Sequence, residues 1–116
     1  MIDEQKLQQT LRDFVNDRDW EQFHSPRNLI SALNVEAGEL LELFQWESAN
    51  HVVDVGDPET RQKVEDEIAD VFIYLLRIAD KLDVSLEEVA MAKMKKNAEK
   101  YPVEKSKGKA VKYTEL

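Results

Sequence analysis

Helical spacing of apolar residues dominates this chain, and two cap-plus-proline signals mark where its central helices begin. Ser25-Pro26 and Asp57-Pro58 each place a side-chain acceptor before a proline at the first helical position, where the missing N–H costs nothing. After the first, Leu29, Ile30, Leu33, Ala37, Leu40, Leu41 and Phe44 give a broad apolar face reaching to about Trp46. After the second come Val64, Ile68, Val71, Phe72, Ile73, Leu75, Leu76, Ile78 and Leu82, and at about 100° per residue Ile73 and Leu76 lie off the main stripe. An earlier helix is predicted from Leu7, Leu11, Phe14 and Val15, stopping near Asp17–Trp20. A fourth opens at Ser85, whose S-x-x-E capping box with Glu88 is flanked by the Val84 and Val89 staple. Tyr101-Pro102 closes it near Lys100, since proline disfavours helix in the residue before it. Residues 47–57 read as a loop. The expectation is an all-α fold of four helices, with a helical domain over 1–102 and a Lys-rich tail, 103–116, mobile or ordered only on binding.

Composition narrows the function classes. A chain of 116 residues makes one domain and can hardly surround a helix that is apolar on more than one side, so a homo-oligomer is expected. No apolar run approaches the roughly 20 residues of a membrane span, and no signal segment opens the chain. The absence of cysteine suits a reducing compartment, and a cytoplasmic enzyme is expected. A net charge of −8 argues against a general nucleic-acid binder. That charge is uneven. Residues 1–92 carry 8 basic and 21 acidic side chains, while residues 93–116 carry 8 lysines and 3 acids. A phosphate-bearing ligand between metal-loaded carboxylates and a lysine-rich segment would use both halves; a solvated lysine tail is the plainer alternative.

The chemistry is carried by two acid-x-x-acid pairs, Glu36 with Glu39 and Glu67 with Asp70. Their i,i+3 spacing puts both carboxylates of each pair on one side of a helix. All four border apolar stripes rather than open surface, and two antiparallel helices would bring the pairs together. At about 5 Å and an effective dielectric of about 20, each pair of ionised carboxylates repels by ~3 kcal/mol. Protons or a divalent cation must compensate. Oxygen-only ligation selects a hard ion, Mg²⁺ or Mn²⁺, over zinc. Gly38, between the two glutamates, would let a ligand or a neighbouring backbone approach. A ferritin-like di-iron site would want two Glu-x-x-His motifs, and only Glu21-Gln22-Phe23-His24 has that form. The remaining alternative is a pair of solvated acidic faces.

Aromatic and cationic residues complete the pattern. Trp46 stands seven residues after Glu39, and Tyr74 seven after Glu67, about two helical turns or ~10 Å. With Trp20 they could wall a flat aromatic ligand, although each taken singly suits core packing. On the fourth helix Lys93, Asn97 and Lys100 share a face, with Tyr101 next, offering charged and neutral donors to phosphate oxygens.

The paired acids, with Arg18-Asp19-Trp20-Glu21-Gln22-Phe23-His24 running on to Pro26-Arg27-Asn28-Leu29 and Gly38-Glu39-Leu40 running on to Trp46, resemble the MazG-like all-α nucleoside triphosphate pyrophosphohydrolases, most of all their dCTP pyrophosphatase branch. Asp70-Val71, Ile73-Tyr74-Leu75, Lys93-Met94, Asn97, Tyr101-Pro102 and Lys112-Tyr113-Thr114-Glu115-Leu116 continue the likeness. The resemblance implies a four-helix catalytic domain assembled as a tetramer, a dimer of dimers. It implies Mg²⁺-dependent cleavage between the α and β phosphates of a nucleoside triphosphate, giving monophosphate and pyrophosphate. Glu36, Glu39, Glu67 and Asp70 would hold the metal, and Glu36 or Glu39 would take the proton from water. Trp20, Trp46 and Tyr74 would frame the base, and Lys93, Asn97, Lys100 and Tyr101 would approach the phosphates. His24 and Arg27 match the motif without an assigned role. Lys100 stands where dCTP-type relatives often carry Arg, which loses a bidentate phosphate contact. The same reaction on dUTP or phosphoribosyl-ATP, and a non-catalytic helical binding module, are the competing readings.

Overall fold

In the computed structural model, which describes all residues from Met1 to Leu116, every element is helical, and the only strand-like feature is an isolated bridge between Ser48 and His51. Helix α1 spans Glu4–Asp17, α2 Pro26–Glu42, α3 Pro58–Lys81 and α4 Leu86–Lys100. A 3₁₀ turn, Glu21–Phe23, precedes α2. The chain divides into two compact units, Met1–Val84 and Ser85–Leu116.

The helix starts follow from their caps. Ser25, Asp57 and Ser85 accept bonds from the backbone N–H groups of Asn28, Thr60 and Glu88 at 3.2, 3.0 and 3.3 Å. The ends of α1 and α3 share one device. Asp19 and Asp83 adopt left-handed backbone, at φ 54° and 53°, and the next residues turn back, Trp20 N–H to the Val15 carbonyl and Val84 N–H to the Ala79 carbonyl. These are Schellman closures, usually built on glycine. The first brings Trp20 edge-on against Phe14, ring centroids 5.8 Å apart, and thereby fixes where that tryptophan stands.

Helix α2 is shorter than its apolar spacing predicts, stopping at Glu42 rather than near Trp46. Leu43, Phe44 and Gln45 N–H groups bond to the carbonyls three residues back, Leu40, Leu41 and Glu42. With no side chain to cap the end, tight three-residue bonds satisfy the last carbonyls and change the winding. Trp46 therefore leaves the register it would share with Glu39, and it is 77% exposed.

Within the first unit α3 is the axis, with α1 and α2 packed along it. Gln8 Nε2 donates to the Leu76 carbonyl at 3.2 Å and Arg12 to Asp80 at 2.8 Å; both partners advance together, so α1 runs parallel to α3. The core is small: Val15, Leu29, Leu76 and Ala79 are the buried apolar residues. Leu76, off the main stripe by angle, is one of its centres, whereas Ile68 and Leu75 on the same helix are exposed. A single chain thus leaves apolar surface on α3, as its all-round hydrophobicity predicts. No helix is long and apolar enough to cross a membrane.

The second unit holds α4, a single helical turn α5 at Val103–Ser106, and a 3₁₀ turn at Tyr113–Glu115. The Ser106 hydroxyl donates to the Pro102 carbonyl at 2.7 Å. Tyr113 returns to the end of α4, edge-on to Tyr101 with centroids 6.3 Å apart. The Lys-rich segment is accordingly built back onto its helix rather than extended from it.

Candidate functional site

The two acidic pairs meet. Carboxylate oxygens of Glu36, from α2, and of Glu67 and Asp70, from α3, lie within 4.8 Å of one another. Glu39 sits beside them, close enough to act on both Glu36 and Glu67. Glu36 Oε2 and Glu67 Oε2 are sealed from solvent and have no hydrogen-bond partner. Burial first, then the neighbouring carboxyls of Glu67 and Glu39, pushes Glu36 up to about 7 from its ordinary 4.5. Glu67 is raised as well, by burial above all, with the charges of Glu39 and Asp70 adding to it. Two buried acceptors without donors, in an oxygen-only donor set, fit a hard divalent cation. Glu36, Glu67 and Asp70 could hold one, with Glu39 beside them. Gly38, between the glutamates in sequence, lies on the exposed side of α2, where a Cβ would meet nothing within 4 Å.

Of the three aromatic residues, Tyr74 keeps its helical register with the acids of α3, half-buried and one turn beyond Asp70. Trp20 stands at the α1 closure and is partly exposed, while Trp46 projects from the turns after α2. The three rings make no aromatic contact with one another; Trp20 pairs with Phe14 instead.

In the second unit Lys93, Asn97 and Lys100 lie along α4, all exposed, and Tyr101 caps the helix through its N–H to the Asn97 carbonyl at 2.9 Å. The Lys100 ammonium sits 4.8 Å above the Tyr113 ring. A cation held over an aromatic face there keeps its charge available on the open side.

Residues 31–116 match the family model of the MazG-like family. The chain belongs to the MazG-like family. Over 105 residues, 90% of its length, it is 47% identical to dCTP pyrophosphatase 1 of Rattus norvegicus and 43% identical to that of Homo sapiens. It spans 62% of the length of those relatives. Its fold also matches the crystal structure of a pyrophosphatase from Archaeoglobus fulgidus DSM 4304, with a TM-score of 0.74 and 38% identity, over 84% of this chain and 91% of that one.

This MazG-like chain carries one feature that spacing rules do not reveal. Arg77, 3% exposed, is buried on α3 seven residues after Asp70 and three after Tyr74. Its Nη2 donates to Glu21 Oε2 at 2.9 Å and lies 3.4 Å from His24 Nδ1, and its Nη1 is 3.5 Å from Asp80. Lys81 donates to the other Glu21 oxygen. The hydrogen bond from Lys81 is the chief reason the Glu21 carboxyl is held below its ordinary value, with Arg77 adding and burial opposing. Burial foremost, then the Arg77 charge, holds His24 below the usual imidazole range, so a neutral ring can accept at Nδ1. His24, unassigned by its motif, thus belongs to an ionic network joining the 3₁₀ turn to α3. Arg27 is simply exposed. The available signal was a lone arginine inside the apolar run from Val71 to Ala79, in helical register with the acids.

Proposed function

We propose that this chain is a Mg²⁺-dependent nucleoside triphosphate pyrophosphohydrolase that cleaves the bond between the α and β phosphates of dCTP or a close relative. The observation that carries it is the convergence of Glu36, Glu67 and Asp70 oxygens within 4.8 Å, two oxygens of the cluster buried and unpaired. The dCTP pyrophosphatases among its relatives, and the likeness to a pyrophosphatase along nearly all of that chain's length, support the same reaction.

Glu36, Glu39, Glu67 and Asp70 would hold the cation. When bound, Mg²⁺ supplies neutralisation of charge on the phosphate oxygens and acidification of a water. The chain's own residues do the rest. Glu36 or Glu39 takes the proton of the attacking water at a carboxylate oxygen. Tyr74, Trp20 and Trp46 flank the base, where stacking gives affinity with limited discrimination. We assign phosphate contacts to Lys93, Asn97, Lys100 and Tyr101 on their donor chemistry. The exposed apolar side chains of α3 support a homo-oligomer, a tetramer in this reading, working on the cytoplasmic nucleotide pool.

The deciding experiment is ³¹P NMR of the protein with Mg²⁺ and, in parallel, dCTP, CTP, dTTP, dUTP and dATP. Monophosphate and pyrophosphate, appearing fastest from dCTP, are expected. Orthophosphate as first product would overturn the bond assignment. A faster reaction with another nucleotide would overturn the base preference, and no turnover by folded protein would overturn the enzymatic reading.

A further inference from the structure

The Glu21–Phe23 turn contains no buried residue, so apolar packing does not anchor it. From α2 the Asn28 amide donates to the Phe23 carbonyl at 2.9 Å, and from α3 what reaches it is charge: Arg77 and Lys81, one helical turn apart, each donate to a different oxygen of Glu21. Trp20 immediately precedes Glu21 and caps the same turn, its carbonyl accepting from Phe23 N–H at 2.9 Å. The α1 closure holds Trp20 from one side, and the ionic pair ties the next residue to the helix that bears Glu67, Asp70 and Tyr74.

We propose that Glu21, clamped by Arg77 and Lys81, is a positioning residue that sets Trp20 relative to α3 and thereby tunes nucleotide affinity. This rests on the reading of Trp20 as part of the base wall. The Glu21 side chain is 47% exposed, whereas Arg77 is 3% exposed, so the two ends of the clamp differ in consequence. Removing Arg77 empties a buried site and strands its partners, which disturbs the fold. Removing the charge of Glu21 releases the turn from a solvent-facing position and spares the core. His24 adds a second, neutral contact to the same guanidinium, so the start of α2 moves with the turn.

The test is Glu21→Gln, with Lys81→Met as a second variant that withdraws one donor and leaves Arg77 in place. Turnover is measured on the nucleotide that the wild type cleaves fastest. The expected result is a KM raised about tenfold with kcat within about twofold, the mark of lost binding rather than lost chemistry. In parallel, Trp46→Phe isolates the fluorescence of Trp20 in the nucleotide-free protein. Its acrylamide quenching constant is expected to rise about twofold in the Glu21→Gln background, because a released ring meets solvent more often. Unchanged KM and quenching in both variants would overturn the clamp, as would a fall in kcat at constant KM. A wild type that releases no pyrophosphate from any nucleotide would sink the proposed function by itself. The quenching of Trp20 would then decide the clamp alone, with no change overturning it.

Discussion

Glu36 is the residue whose state reports most directly on the site. Its folded value near 7 exceeds the ordinary 4.5, so its contribution to stability is fully present below about 4.5 and is lost as pH rises through about 7. In cation-free protein, Glu36→Gln is therefore expected to match the wild type in melting temperature near pH 5 and to exceed it by pH 8. Equal melting temperatures at both pH values would remove the buried-carboxylate account. Activity is expected to move the other way: Glu39→Ala and Asp70→Ala each lose turnover by a factor of about 10² or more with the helical circular dichroism signal retained. Glu21 has the opposite sign. Its depressed value gives stability that is present above the unfolded carboxylate value and drains away as pH falls through the folded one. Glu21→Gln should accordingly flatten the acid limb of the stability profile, measured by urea titration between about pH 5 and pH 3. The convergence of Glu36, Glu67 and Asp70 was legible in i,i+3 spacing taken together with the apolar stripes that the acids border. The clamp was not, because Glu21 and Arg77 are 56 residues apart and no local periodicity links a 3₁₀ turn to a helix.

The helices themselves were largely legible, because caps and prolines act locally. Ser25, Asp57 and Ser85 each accept the bond that their sequence position promises. Ser25→Ala is expected to cost about 1 kcal/mol of unfolding free energy, seen as a lower urea midpoint at constant slope. Helix ends were less legible. Apolar residues continue at helical spacing through Phe44, yet α2 tightens after Glu42, since periodicity records which faces are apolar and not where the carbonyls find partners. Aspartates rather than glycines occupy the left-handed positions that end α1 and α3, so the usual stop signal is missing from the sequence. Gly38 offers a cleaner test. A methyl there meets open space, and Gly38→Ala should raise stability by up to about 1 kcal/mol. Stabilisation accompanied by lost turnover would show that the open space is used by substrate.

Considered whole, the first unit buries very few apolar side chains for the surface it presents. Leu76 and Leu29 are each 1% exposed and centre the core, and Leu76→Ala is expected to cost about 2–5 kcal/mol. Ile68, Leu75 and Leu41 remain outside it. Sedimentation of the protein is expected to show an assembly heavier than 13.5 kDa, and Leu75→Glu to shift it toward the single chain. A monomer at micromolar concentration would overturn that expectation. The arrangement of α3 has a further consequence for how such a chain can change over time. Glu67, Asp70, Tyr74, Arg77 and Lys81 follow one another at three- and four-residue steps along a single rod. One residue inserted between Asp70 and Tyr74 would turn everything beyond it by about 100° and advance it by about 1.5 Å, parting the ring and the clamp from the acids at a stroke. The stretch from Leu43 to Asp57 carries no such register. Gains and losses of length are expected to collect there, while α3 accepts exchanges of residue but not of number.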